Sequence, residues 1–208
     1  MIEDRPAVAH PERRLRPTPF SRVAWCVSWI GHPLVFVSAS LALIVWFRLA
    51  NRVGLSALAA LILAVVLPIA VLLIKGVRSG RWSDADVSVQ TERAQFFPPA
   101  ILLSLVGVAA LLVLHSPWAM VRSALVTLLL LVIAALVNRV TKISLHAIFA
   151  FYCAVILFGI GAMAGVAALC LATSVAWSRL YLRRHRFADV VLGAGMGAVG
   201  GVIAVWWP

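Results

Sequence analysis

The sequence predicts an all-α integral membrane protein, a helical bundle with about six or seven transmembrane helices. Three observations lead to this fold class. The chain has 208 residues, of which 63% are hydrophobic, and its mean hydropathy is +1.05. Only 12% of the residues are charged, too few to cover the surface of a soluble domain of this length. Several uninterrupted apolar runs approach the roughly 20 residues with which a helix crosses a bilayer.

The chain divides into three regions. Residues 1–21 are rich in proline and charge, and we expect them to form a mobile cytoplasmic tail. Residues 22–76 contain two apolar runs and predict two N-terminal transmembrane helices. Residues 77–208 contain the other runs and are expected to form a transmembrane core that carries three polar segments. The seven runs are residues 23–47, 55–74, 98–114, 118–137, 145–159, 160–177 and 190–207.

The fifth and sixth runs are continuous and could form one long helix or two short ones. A single helix over residues 145–178 would be about 51 Å long, well above the ~30 Å thickness of the hydrocarbon core. Gly159 and Gly161 offer a place for the chain to turn. Two short spans are therefore favoured over one tilted span.

Basic residues fall mostly on one side of a seven-span bundle. Of the 18 lysines and arginines, only Arg48, Arg52 and Arg122 lie on or near the other side. Because cytoplasmic loops are enriched in Lys and Arg, the crowded side is expected to face the cytoplasm of a bacterial inner membrane or other cell membrane. The chain has a net charge of +11, and we expect it to interact with the bilayer and not with nucleic acid.

Three polar segments lie on the basic side, at residues 81–97, 138–146 and 178–190. Two spans separate each segment from the next, so all three can converge at one face of the membrane. Within the first segment, residues 83–88 read SDADVS, which is typical of a turn and a helix cap.

The second polar segment ends where the fifth run begins. Ser144 and His146 are expected at the first turn of that helix. Free N–H groups and the positive end of the helix dipole favour an anion at such a position. Lys142 adds a full positive charge two residues earlier.

The third polar segment contains a histidine and an aspartate at helical spacing. If Asp189 lies on the first turn of the last helix, it is close enough to accept a hydrogen bond from the ring of His185. Such a bond fixes the tautomer and makes the other ring nitrogen a better nucleophile. On a continuous helix Arg179 would point about 240° away from His185. A shared site therefore requires a break in the helix, predicted at residues 180–184.

Taken together, the segments resemble a three-part signature of a known family. Its elements are Arg93, then Ser144-Leu145-His146, then Ser178-Arg179, five residues, His185, three residues and Asp189. This order is similar to that of the type-2 phosphatidic acid phosphatase superfamily, membrane phosphatases related in site design to the vanadium haloperoxidases. The resemblance covers roughly residues 81–205.

The three parts match the family pattern to different degrees. The third part matches in full. The second part keeps Ser144 and His146 of the usual proline-serine-glycine-histidine. In the first part, Asp86 stands where the family has lysine, and Ala94 stands where it has proline.

The resemblance implies a role for each matching residue. His185 would attack phosphorus and form a phosphohistidine, and Asp189 would orient its ring. His146 would protonate the leaving oxygen and later activate water. Lys142 or Arg81 could supply the charge of the missing lysine. No metal or other cofactor is implied, and the residues that would hold the phosphate oxygens are Arg93, Arg179 and Ser144.

Several other polar residues and glycines carry structural expectations. The other histidines are expected to be tail, packing or interface residues: His10, His32 and His115. Three arginines of the third segment are either membrane anchors or substrate contacts: Arg183, Arg184 and Arg186. Glycines at every fourth position are expected to let the last helix pack closely against a neighbour: Gly193, Gly197 and Gly201.

These expectations lead to a function hypothesis with two alternatives. The leading hypothesis is a metal-independent membrane lipid phosphatase, active at the cytoplasmic face. Its candidate substrates are phosphatidate, phosphatidylglycerol phosphate, a polyprenyl diphosphate and a polyprenyl-linked sugar phosphate. The alternatives are a lipid transporter or flippase, and an inactive relative that binds the lipid without hydrolysis.

Overall fold

The computed structural model describes residues 18–206, and this range is a helical bundle without strands. The predicted all-α fold class is confirmed. A π-helical turn (Ile62–Val66) joins the third and fourth helices. The helices of the described range are α1 (Pro19–Ile30), α2 (Pro33–Arg48), α3 (Arg52–Leu61), α4 (Leu67–Arg78), α5 (Gln90–Val113), α6 (Trp118–Val137), α7 (Leu145–Leu157), α8 (Ala162–Tyr181) and α9 (Phe187–Trp206).

Within residues 18–206, five helical stretches are long and apolar enough to cross a membrane. They are the continuous helix Arg52–Arg78 and helices α5, α6, α8 and α9. A sixth span results if α1 and α2, which meet at an angle of 54°, count as one. The fifth apolar run, residues 145–159, forms only the 13-residue helix α7. At about 20 Å this helix is too short to cross the bilayer alone.

The N-terminal region departs from the expected tail and first span. Helix α1 begins at Pro19, inside the expected tail, because the hydroxyl of Thr18 caps it by accepting a hydrogen bond from the backbone N–H of Ser21 at 3.2 Å. Residues 1–17, including His10, lie outside the described residues. The first apolar run is two helices because Pro33 cannot continue the hydrogen-bond ladder of α1.

The fifth and sixth runs form two separate helices, as the sequence favours. Helix α7 ends in a turn in which the backbone N–H of Gly159 donates to the carbonyl of Ile156 at 2.9 Å. The guanidinium of Arg48, from the end of α2, donates to the carbonyls of Gly159 and Ile160. A basic side chain thereby satisfies the carbonyls at the C-terminal end of α7.

Helix α7 lies at the centre of the bundle, between α2, α8 and α9. Helix α9 runs against it with backbones in close contact. A Cβ atom at Gly193 would lie 2.8 Å from the carbonyl oxygen of Ser144, and one at Gly201 would lie 2.6 Å from Cβ of Val155. At Gly197 it would collide with the carbonyl oxygen of Ile148. The expected role of these glycines in close packing is confirmed.

The contact between α7 and α9 predicts a stability difference between two glycines of the same helix. Gly197→Ala should lower the free energy of unfolding by about 1–3 kcal/mol, because the added methyl group meets backbone that cannot move aside. Gly195→Ala is the matched control: no atom lies within 4 Å of its added Cβ. This control should be neutral or stabilising by up to about 1 kcal/mol. Equal effects in detergent unfolding experiments would contradict this packing.

Candidate active site

The α4–α5, α6–α7 and α8–α9 connections meet at one end of the bundle, which we call the site face. The ammonium of Lys142 donates to the carbonyl of Arg184 at 2.7 Å, and Arg184 pairs with Asp84 at 2.6 Å. The side-chain amides of Gln90 and Asn138 donate to each other's backbone carbonyls at 2.7 and 3.1 Å. The three polar segments are thus bonded to one another at the site face.

His185 and Asp189 lie on either side of the start of α9. Helix α8 ends at Tyr181, so the break between Arg179 and His185 falls at residues 182–186. The carboxylate of Asp189 accepts a hydrogen bond from the backbone N–H of Arg186 at 3.0 Å, and it lies 3.4 Å from Nδ1 of His185. Nδ1 makes no hydrogen bond to the described residues. The two groups are therefore in close contact without the predicted hydrogen bond, and such bonds are often long or poorly aligned before a substrate binds.

Arg93 is buried on the first turn of α5 and faces the other side of the His185 ring. Its Nε donates to the carbonyl of Val87 at 2.8 Å, and its Nη1 donates to that of Ile143 at 2.5 Å. Its Nη2 lies 3.4 Å from Nε2 of His185. These partners assign the ring proton to Nδ1, beside Asp189, and a lone pair to Nε2.

Arg179, on the last turn of α8, is a second buried arginine with only part of its hydrogen bonds formed. Its side chain is 1% exposed. Its Nη1 donates to the hydroxyl of Ser28 and to a carboxylate oxygen of Asp86, both at 2.7 Å. Its Nε and Nη2 have no hydrogen-bond partner among the described residues. That edge is the one with which an arginine binds phosphate through two hydrogen bonds.

His146 and Asp86 complete the group. The second carboxylate oxygen of Asp86 lies 3.6 Å from Nε2 of His146, which makes no hydrogen bond within residues 18–206. The ring of His32 stands edge-on to that of His146, with the ring centroids 5.4 Å apart. Asp86 therefore lies between Arg179 and His146.

Five residues expected at the site form two contact groups at the site face: His185 contacts Arg93 and Asp189, and Asp86 lies between His146 and Arg179. Comparison with known proteins found no matching family model, no matching curated protein and no matching solved structure. The resemblance noted in the sequence therefore depends on its motifs and on this geometry.

Two further expected phosphate ligands bond to nearby backbone. The hydroxyl of Ser144 caps α7 by accepting from the N–H of Ala147 at 3.3 Å, and its own proton can still reach another acceptor. The backbone N–H of Ser144 donates to the carbonyl of Asp189 at 3.3 Å, which joins the starts of α7 and α9. Lys142 is held by the carbonyl of Arg184, and Arg81 is exposed.

Sequence reasoning missed two residues of the group. His32 was expected to be a packing or interface residue, and its ring packs edge-on against that of His146, a neighbour that the sequence did not indicate. The helix break at Pro33 turns this ring inward, and no periodicity signals it. Residues 83–88 do form the expected turn, in which Asp84 accepts from the N–H of Ser88 at 3.1 Å. The same turn directs Asp86 toward the arginine.

The ligand atoms of His32, Asp86 and His146 lie within 4.8 Å of one another. Two imidazoles and a carboxylate can together bind zinc or iron. However, Nδ1 of His32 accepts a hydrogen bond from the N–H of Leu34 at 3.3 Å, so the ring proton is on Nε2. The carboxylate of Asp86 is also paired with Arg179. These contacts favour a hydrogen-bonded cluster over a cation site.

Positive charge surrounds His185. Burial lowers the pKa of its ring to about 2, and the charges of four basic neighbours act in the same direction. Burial, followed by the charge of Arg93, also lowers the pKa of Lys142. The His185 imidazole is therefore neutral at physiological pH, the form that a nucleophile requires. The four neighbours are Arg93, Lys142, Arg179 and Arg184.

The neutral ring of His185 predicts a dependence of stability on pH. The pKa is lower in the folded chain than the ordinary value of about 6.5, so this contribution to stability is complete above pH 6.5 and is lost as the pH falls. Between pH 7.5 and 5, the wild type should lose on the order of 2 kcal/mol more free energy of unfolding than His185→Asn. Unfolding of both proteins in mixed detergent micelles at the two pH values measures this difference in free energy. Equal losses would contradict a neutral buried ring.

Proposed function

We propose that the protein is a metal-independent membrane lipid phosphatase of the type-2 phosphatidic acid phosphatase superfamily, acting through a phosphohistidine. One observation carries this proposal: two histidines and two buried arginines lie at the site face, where Arg93 contacts His185 and where Asp86 lies between Arg179 and His146. The Nε–Nη2 edge of Arg179 has no partner among the described residues. Nε2 of His185 carries a lone pair beside the guanidinium of Arg93. This combination suits an anion that is to be attacked by a nucleophile.

The proposed reaction has two steps. Nε2 of His185 attacks phosphorus, the bond from phosphorus to the leaving oxygen breaks, and that oxygen takes a proton from His146. The negative charge of the bound phosphate favours the protonated state of His146 that this step needs. Water then attacks the phosphohistidine, His146 accepts the proton, and phosphate leaves with His185 restored.

The surrounding groups would position and stabilise the phosphoryl group. Arg179 offers its Nε–Nη2 edge, and Nη2 of Arg93 lies beside the nucleophilic nitrogen. Positive charge fixed at this point stabilises the oxygens of the transition state, which is the main contribution in phosphoryl transfer. Asp189 is 3.4 Å from Nδ1 of His185 and would stabilise the ring as it gains positive charge.

Two adjoining cavities support a lipid substrate. A cavity of about 110 Å³ has His32, Asp86 and His146 in its lining. A mostly apolar cavity of about 280 Å³ lies next to it, deeper in the bundle. Polar groups at one end and apolar space beyond would suit a phosphate attached to a hydrocarbon chain. The cavities share the lining residues Val37, Val65, Val66, Ser104 and Thr127.

Loss of the nucleophile tests the proposed reaction. His185→Ala should reduce phosphate release by at least about 10³-fold, because no covalent intermediate can form. His146→Ala should reduce it by about 10²–10⁴-fold. His115→Asn, at an exposed position after α5, is the matched control and should keep wild-type turnover. The assay is phosphate release from a panel of lipid phosphates in detergent with a chelator. Wild-type release by His185→Ala would exclude the mechanism.

A second candidate is a relative that binds the lipid without hydrolysis. It is favoured by the carboxylate of Asp86 on Arg179 and by the 3.4 Å separation of His185 and Asp189. Binding of a lipid phosphate by the wild type, with no phosphate released from any member of the panel, would support this candidate. Movement of the lipid between leaflets without release would support a flippase.

The charge distribution supports a cytoplasmic location of the site face. Lys75 and Arg78 lie in the last turn of α4, at the site face. At the opposite end, Arg48 is bonded to the carbonyls after α7. Arg122 is bonded there to the last carbonyls of α9.

Single-cysteine variants test this orientation. Thr141→Cys lies in the exposed α6–α7 connection at the site face, and Ala50→Cys lies in the α2–α3 connection at the opposite end. Each variant is built in a chain whose three natural cysteines have been replaced. A membrane-impermeant maleimide should label Ala50→Cys in intact bacterial cells. Thr141→Cys should be labelled only after permeabilisation. The reverse pattern would overturn the orientation and leave the proposed chemistry untouched.

A further inference from the structure

We infer that Asp86 determines the specificity of the site: its carboxylate competes with the phosphoryl group for Arg179 and His146, so that free phosphate is rejected. A lipid phosphate overcomes this competition through the binding of its hydrocarbon chain. The part of the inference that concerns the lipid rests on the proposed function, whereas the competition for the anion site does not.

The two oxygens of Asp86 contact two different groups of the site. One lies 2.7 Å from Nη1 of Arg179, and the other lies 3.6 Å from Nε2 of His146. A phosphate bound at the Nε–Nη2 edge of this arginine needs the guanidinium charge that Asp86 already neutralises, and its leaving oxygen needs the histidine nitrogen that Asp86 faces. The carboxylate therefore lies where it competes with the substrate.

The backbone holds Asp86 in this position. The hydroxyl of Ser88 donates to Asp84 at 2.5 Å, which closes the turn around Asp86. Val87 is buried and has a φ of 44°, a costly conformation for a β-branched residue. The carbonyl of Val87 accepts from Arg93 at 2.8 Å. A strained turn that is bonded on both sides of Asp86 keeps the carboxylate directed into the site.

Charge makes the competition selective. Inorganic phosphate brings up to two negative charges close to a carboxylate in a mostly buried site, where repulsion is stronger than in water. A lipid phosphate makes the same polar contacts, and its chain adds binding energy that can offset the repulsion. In the family that the sequence resembles, a lysine at this position would attract phosphate.

Binding of small anions tests the competition directly. Asp86→Asn keeps the shape of the side chain and removes its charge. It should bind inorganic phosphate and orthovanadate at least tenfold more tightly than the wild type, as measured by calorimetry in detergent. Glu92→Gln is the matched control: it removes a carboxylate from the same segment whose hydrogen bonds go to Ser83. This control should bind both anions like the wild type. Equal or weaker binding by Asp86→Asn would overturn the inference.

Asp86→Asn leaves Arg179 buried without a counter-charge, which could prevent folding. In that case the experiment measures whether anions restore the folding of Asp86→Asn. Phosphate, unlike chloride at equal ionic strength, should restore the yield and the melting temperature of Asp86→Asn, because phosphate takes the place of the carboxylate. No difference between the two salts would overturn the inference.

These measurements test the competition by Asp86 independently of the proposed phosphatase activity. Anion binding and rescue do not require turnover. Tighter binding by Asp86→Asn in a protein that releases no phosphate would support the competition and exclude the phosphatase. If turnover is observed, the preference for a lipid phosphate over a water-soluble phosphate ester should fall at least tenfold in Asp86→Asn. An unchanged preference would overturn Asp86 as the specificity determinant.

Discussion

The burial of two guanidinium groups at one end of an apolar bundle is the constraint on which the rest of this site depends. A buried charge costs several kcal/mol unless hydrogen bonds and opposite charges compensate it. For Arg93 the compensation comes from the carbonyls of Val87 and Ile143, on two different connections. For Arg179 it comes from Ser28 and Asp86. Satisfying the two arginines therefore joins α1 and the α4–α5 and α6–α7 connections into one polar end.

The contact between α7 and α9 supplies the second half of the arrangement. Glycines on α9 let the two backbones approach, and the N–H of Ser144 reaches the carbonyl of Asp189 at 3.3 Å. The starts of both helices are thereby fixed side by side. His146 follows one start and His185 precedes the other, so the packing of small residues along the helices sets the distance between the two imidazoles.

An acidic residue, Asp86, lies among the positive charges of this site. Asp86 compensates Arg179 while no substrate is bound, and it opposes an anion that would take its place. The same carboxylate therefore stabilises the folded protein and weakens the binding of an anion. The apolar cavities beside it offer a source of binding energy that a small soluble phosphate cannot use. A selective site can arise from such a conflict without any residue that recognises the lipid headgroup.

The sequence by itself determined the helical fold class, the turn near residue 159 and the close packing of the α9 glycines, because these follow from local hydrophobicity, spacing and backbone freedom. It also predicted a helix break after Arg179, at residues 180–184, and the structure has this break two residues later, at 182–186. The number of spans between the three polar segments also predicted that they meet at one face, and the resemblance to the family signature implied which of their residues form the site. Only the tertiary structure decided that α7 is a short central helix and that Asp86 and His32 join the site. Those outcomes depend on contacts between residues far apart in the chain, such as Arg179 with Asp86. The local sequence pattern does not indicate which charged residues will be buried or which residues will pair with them.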